Sequence, residues 1–262
     1  VMRSSLLGSL IAVLKFNLDR KAQRVRLFEL GRVFRKDPSV QDSDTSVAGF
    51  DQPMRVAGLA YGGVDSLQWG CAERNVDFFD IKGDVQALLA PLQASFKPAE
   101  HSAMHPGRCA SVWLGERCIG HVGELHPKWR QGYDLTQAPV MFELALDAVL
   151  QREVPVFQSV SRHQPVARDI AIVVKEAVTH AAVMDAIRDA GGELLRDAVL
   201  FDVYRPKKMS EGQGGGLASD EKSLAVRLTL SREDATLTEQ EIEAAVKGAL
   251  VSLEQRVGAR LR

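Results

Sequence analysis

The stretch FDVYR, residues 201–205, sets a carboxylate and a phenol two positions apart, Asp202 and Tyr204, with Arg205, Lys207 and Lys208 close behind. Side chains of an extended chain change face at every residue, so Leu200, Asp202 and Tyr204 share one side of a strand. On the same alternation Val199, Phe201 and Val203 take the other side and read as core. A ring that can stack, an acceptor for amino groups and nearby cations together suit an unpaired nucleobase and its phosphates. The same residues also fit a solvated strand end, with Tyr204 packed on a connector and Asp202 capping a turn.

Other residues that could do chemistry carry weaker patterns. His101, His105, His121 and His126 are close in sequence, but no H-x-x-x-H helical pair with a third carboxylate ligand is present, so structural or hydrogen-bonding roles are expected and no metal is assigned. His105 opens HPGR, read as a loop turn, with Arg108 salt-bridged. Gly212, Gly214, Gly215 and Gly216 lack the following Lys-Ser/Thr at a helix start that a phosphate loop needs, and read as a hairpin loop. No G-x-S-x-G nucleophile elbow occurs. Cys71, Cys109 and Cys118 form no C-x-x-C and read as reduced, inert thiols.

The elements that position the FDVYR strand follow from periodicity. After a connector at 151–160, the chain reads strand (RDIAIVV), helix capped by Thr179 and ended at Gly191 or Gly192, and long strand through Tyr204. A loop, the strand EKSLAVRLTLS, a helix opened by the capping box Thr238-x-x-Glu241 and a short strand at ARLR complete it. This is β-α-β-β-α-β, the ferredoxin-like order, in which two helices cover one face of an antiparallel sheet. In its third strand Leu224, Val226, Leu228 and Leu230 form the core set, opposite Ser223, Ala225, Arg227 and Thr229. Asp202, Tyr204, Arg227 and Thr229 are therefore expected together on the open face.

Upstream, Ser4 and Ser5 are placed to cap a helix running to about Asp19, with a stripe of Leu6, Leu10, Val13, Leu14 and Leu18. Strands are expected at 24–34, 54–62, 109–114, 118–125 and 139–146, a polar loop at 37–53, and a helix at 78–92. Strand-rich order with few helices predicts an α+β domain around an antiparallel sheet.

The totals exclude several classes. The chain has 262 residues, enough for two domains, with 33 basic and 34 acidic side chains, so bulk charge points to neither nucleic acid nor membrane. The opening LLGSLIAVL is too short to span a bilayer and lacks a following cleavage site. Val1 falls inside what reads as a structured segment, suggesting a piece of something larger.

Eight motifs in order carry a resemblance: MRSSLLGSL, LFELGRVF, FFDIKGDV, HPGR, IGHVGELHP, RDIAIVV, LFDVYR and KSLAVRLTL. Together they resemble the C-terminal part of the β subunit of bacterial phenylalanyl-tRNA synthetase, over nearly the whole chain. The resemblance implies a class II synthetase-like core domain without catalysis at 1–150, a linker at 151–159, and a ferredoxin-fold anticodon-binding domain at 160–262. It implies that Asp202 and Tyr204 contact anticodon bases, with Arg162, Arg168, Arg205 and Lys208 serving RNA phosphates; Arg227, on the same open face, is counted with them as tRNA-binding. MRSSLL is similar to the first class II signature, which builds interfaces, and the closing signature G-x-G-x-[DE]-R is missing where the chain reads FELALDAVL. That departure fits a dead active site, with no cofactor in this segment and ATP and Mg²⁺ used by the whole enzyme. The implied partners are the catalytic α subunit, in a heterotetramer of two α and two β, and tRNA-Phe, in the cytoplasm. The rival readings are a ferredoxin-like ligand-sensing or scaffold module, which predicts an apolar open face, and a free-standing enzyme with an active first domain.

Overall fold

The structure, a computed structural model, describes residues 2–44, 46–151, 157, 163–205 and 217–262. The chain forms two compact units, Val1–Val154 and Pro155–Arg262.

The first unit is built from α1 (Leu7–Leu18), β1 (Val25–Arg32), β2 (Arg35–Lys36), β3 (Phe50–Asp51), β4 (Met54–Tyr61), α2 (Phe78–Leu89), β5 (Ser95–Pro98), β6 (Met104–Leu114), β7 (Arg117–Leu125), α3 (Pro127–Gly132), β8 (Val140–Ala145) and α4 (Leu146–Val149). Its six-stranded sheet runs β1-β4-β8-β7-β6-β5, with each neighbouring pair antiparallel. Both faces carry a core. Leu6, Leu10 and Leu14 of the α1 segment pack with Ala57, Leu59 and Met141, while Ile81, Val85 and Leu89 of α2 pack with Val112, Val122 and Leu144 on the other side. Each fully buried leucine or isoleucine contributes about 1.5–3 kcal/mol by leaving water.

The first helix starts later than its serines suggest. Leu6 is the N-cap and makes no side-chain cap bond; Ser5 instead accepts from Leu7 N–H and donates to Glu143 at 2.6 Å, tying the helix start to β8. Val13, expected in the buried stripe, is exposed, and Leu7 and Ile11 take its place. The polar stretch 37–53 contains β3, which pairs with β2 in a small hairpin. HPGR is not a turn. It lies inside β6, where the pairing to β7 slips between Met104 and Cys109, an irregularity that lets Pro106 sit in a strand without breaking a regular ladder. Helix α2 begins with a capping box of Asp77 and Asp80, and α6 with the expected box of Thr238 and Glu241.

The second unit comprises β9 (Val166–Lys175), α5 (His180–Gly191), β10 (Leu195–Tyr204), β11 (Glu221–Leu230), α6 (Glu239–Val257) and β12 (Arg260–Leu261). The sheet order β10-β11-β9-β12 is antiparallel throughout and gives the β-α-β-β-α-β topology. Ile170, Ile172, Val174, Leu224, Val226 and Leu228 pack against Val183, Met184, Ile187 and Leu253 of the two helices. Thr179 caps α5 through Ala182 N–H, and the helix closes at Gly192 with φ +52°, a conformation glycine adopts without steric cost. Lys222, on the helix side of β11, is buried and donates to the Glu176 and Val178 carbonyls at 2.8 and 2.7 Å. Among the described residues no helix is long and apolar enough to cross a membrane.

Candidate nucleic-acid interface

The face of the second sheet away from the helices is set by cross-strand register, since directly opposed residues of an antiparallel pair share a face. Val199 lies opposite Arg227, Asp202 opposite Ala225, and Tyr204 opposite Ser223; Arg227 in turn lies opposite Asp169. Asp202, Tyr204, Arg227 and Thr229 therefore share the open face, as alternation suggests for the last three strands' worth of pairing. Leu200 faces Val226 and packs on the helical core instead.

The expectation that Val199 and Phe201 are core is wrong. Register shifts between Leu200 and Asp202, leaving Phe201 as an unpaired extra residue in β10. The shift is a β-bulge, which puts two residues of one strand against one of its partner. Val199 and Phe201 are 48% and 53% exposed. The Arg227 guanidinium lies 5.3 Å from the Phe201 ring centroid, which fixes that ring on the open side. Val203 alone of the expected core trio stays in register with a core residue, Leu224.

The open face thus holds the Phe201 and Tyr204 rings, each with a guanidinium over it. Arg262 lies 5.3 Å from the Tyr204 ring centroid and donates to Ser223 Oγ. Arg227 is locked from below by Asp169, with nitrogen–oxygen distances of 2.7 and 2.8 Å. That bidentate bond holds the Asp169 carboxyl below its usual range and raises the Arg227 guanidinium. Asp202 is exposed, and its carboxylate makes no hydrogen bond or ion pair with a described residue. Such a surface offers π-faces for stacking and a free carboxylate acceptor for a base edge.

Two expected phosphate ligands are placed elsewhere. Arg168 lies opposite Leu228, on the helix side, and its guanidinium grips both oxygens of Glu239 at 2.9 and 3.1 Å. Arg205, just past Tyr204, forks onto Glu176 at 2.9–3.2 Å, which lowers the carboxyl and raises the guanidinium. Arg162, Lys207, Lys208 and the glycines Gly212 to Gly216 lie outside the described residues.

Several polar residues of the first unit are committed to structure, while the buried Arg55 Nε has no hydrogen-bond partner among the described residues. Glu143 accepts from Ser5 and from Leu6 N–H, Asp147 pairs with Arg117 at 2.6 Å, and Arg108 pairs with Glu124 at 2.8 Å. His101 and His121 have ring centroids 5.0 Å apart, and burial pushes both imidazoles below the usual histidine value. His101, His105 and His126 each accept a backbone N–H through Nδ1. Burial raises the Cys109 thiol to about 11, so it is inert at neutral pH, and all three cysteines are free. No cluster of three or more metal-ligating side chains occurs among the described residues.

Comparison with known proteins adds a second line. Residues 1–146 match the family model described as the phenylalanyl tRNA synthetase beta chain CLM domain. The chain belongs to this family. Residues 161–262 match the ferredoxin-fold anticodon binding domain, whose sheet is the one described above. Similar curated proteins include the phenylalanine–tRNA ligase beta subunits of Ralstonia nicotianae, 49% identical over 267 residues, and Cupriavidus pinatubonensis, 47% identical over the same length. That of Dechloromonas aromatica is 45% identical over 262 residues. Each alignment covers 100% of this chain, which spans about a third (32%) of the relative's length.

Proposed function

We propose that this chain is the part of a phenylalanine–tRNA ligase β subunit that holds the anticodon stem-loop of tRNA-Phe and supports the catalytic α subunit. The domains are residues 1–150 and 160–262, joined by a linker at 151–159. The observation that carries the reading is the placement of Asp202 and Tyr204 on one uncovered sheet face, with the carboxylate free and the ring accessible. Tyr204 stacks on a base, Asp202 accepts from a base edge, and Arg227 presents the flat side of its clamped guanidinium. Arg205, Lys208, Arg162 and Arg168 serve phosphates; Arg205 and Arg168 must first exchange Glu176 and Glu239 for RNA.

The first domain has no catalytic role in this reading. Its acidic residues at 143 and 147 are spent on Ser5 and Arg117 rather than held open for a metal or nucleotide. The edge strand β1 exposes Phe28 (75%) and Leu30 between Arg26 and Arg32, a surface suited to the α subunit. The complete enzyme, two α and two β in the cytoplasm, uses ATP and Mg²⁺ to activate phenylalanine.

The test is tRNA binding by the intact synthetase carrying Tyr204→Ala in its β chain. Loss of one stacked base weakens tRNA-Phe by about 1–3 kcal/mol and abolishes preference over an anticodon-scrambled transcript. Equal binding of both transcripts by wild type and variant would sink the anticodon reading.

A further inference from the structure

We propose that Phe201 is a second base-stacking position, so that this face takes two unpaired bases, one on Tyr204 and one on Phe201. The proposal rests on the anticodon reading of the face and extends it to a residue that strand alternation assigns to the core. Three observations carry it. The bulge between Leu200 and Asp202 leaves Phe201 out of the ladder and turns its ring to the open side. The ring is 53% exposed, a large apolar surface left in water rather than packed away. Arg227, clamped by Asp169, lies 5.3 Å from the ring centroid, so the position is held by a cation that a stacked base or its phosphate can also meet.

The spacing supports two bases rather than one. Phe201 and Tyr204 are three residues apart along β10, roughly 10 Å of strand before shortening by the bulge. That is too far for both rings to sandwich a single base, which needs stacking contact on each face. Four-stranded sheets of this topology that expose aromatic rings stack two or three bases of a single strand. The bulge also sets Asp202 against Phe201 on the same face, within one Cα–Cα step of about 3.8 Å. The base on Phe201 therefore lies within reach of the carboxylate, and Asp202 reads that base as well as the one on Tyr204.

The experiment is a coupling cycle in the intact synthetase. Phe201→Leu, Phe201→Tyr and Tyr204→Ala enzymes are titrated with tRNA-Phe transcripts, either complete or abasic at one anticodon-loop nucleotide at a time. Thermal melting accompanies each variant. The proposal expects Phe201→Leu to weaken the complete transcript by roughly fivefold or more, the lower end of one lost stack. It expects Phe201→Tyr to bind like wild type. The Phe201→Leu loss should vanish for one abasic transcript, and the Tyr204→Ala loss for a different one.

If Phe201→Leu binds like wild type while Tyr204→Ala does not, the second position is wrong and the anticodon reading stands. If the Phe201→Leu loss is the same for every transcript, the ring only braces Arg227 and the proposal falls. Coupling of both variants to the same nucleotide overturns it too. If neither variant changes binding of any transcript, both readings fall together.

Discussion

At the scale of single residues, this protein spends its charges on pairing. The clearest case is Asp80, which closes the α2 capping box and bonds Arg74 at 2.6 and 2.7 Å. The Arg74 bond, helped by Asp77 N–H and opposed by burial, lowers its carboxyl to about 2, against an ordinary value of 3.8. The folded value lies below the unfolded one, so this stabilisation is complete above about pH 5 and is lost as pH falls through 2. Asp80→Asn keeps a cap acceptor but loses the ion pair. Because Arg74 is half exposed, the cost at pH 7 is about 0.5–1 kcal/mol. In urea unfolding, the gap between wild type and Asp80→Asn should be about halved at pH 3. A gap that stays constant from pH 7 to 3 would show that the pairing contributes nothing. None of this is legible beforehand: RNVDFFD announces a helix start, but which acid meets Arg74 depends on the loop's path.

At the scale of elements, the sequence is legible where one period runs unbroken and opaque where a strand slips. The alternation of Leu224 to Leu230 names both faces of β11 correctly, and Thr179, Thr238 and Glu241 mark helix starts that the structure contains. Alternation names β10 correctly only beyond the bulge and misassigns Val199 and Phe201, because one extra residue inverts the parity upstream of it. The same kind of slip hides HPGR inside β6. Bulges are stabilised by partner strands far away in sequence, so local pattern carries no trace of them. An edge strand has a different consequence. Among the described residues β1 pairs only with β4, and its residues Phe28 and Leu30 stay in water. Exposed apolar edges of this kind are liabilities unless a partner covers them. Phe28→Asp in the β chain should leave its own fold intact yet reduce co-purification of the α subunit several-fold. Undiminished assembly would move the α contact away from β1.

At the scale of the whole molecule, the sequence forms two units with separate cores and nearly balances 33 basic against 34 acidic residues. The first unit's two-sided sheet is not legible in the sequence, since strands buried on both faces lose their alternation. The balance reaches the proposed RNA face itself. Arg227 is held by Asp169, Arg260 by Glu221 and Lys175 by Asp220, while Arg262 lies over the Tyr204 ring with no acidic partner among the described residues. Cations already neutralised by the protein's own acids carry few mobile ions to shed when a polyanion arrives, so these three add little of the salt-dependent entropy that ordinarily drives nucleic-acid binding. On the proposed reading the contacts of Tyr204 and Asp202 with bases are stacking and hydrogen bonding, which ionic strength barely touches. The ratio of wild-type to Tyr204→Ala affinity for tRNA-Phe should therefore stay flat between about 50 and 200 mM salt, even as both affinities fall through contacts made elsewhere. A ratio that collapses with salt would mean that these arginines leave their carboxylates for phosphate. On the proposed reading, Arg227 held by Asp169 would make recognition on this sheet a matter of shape more than of charge.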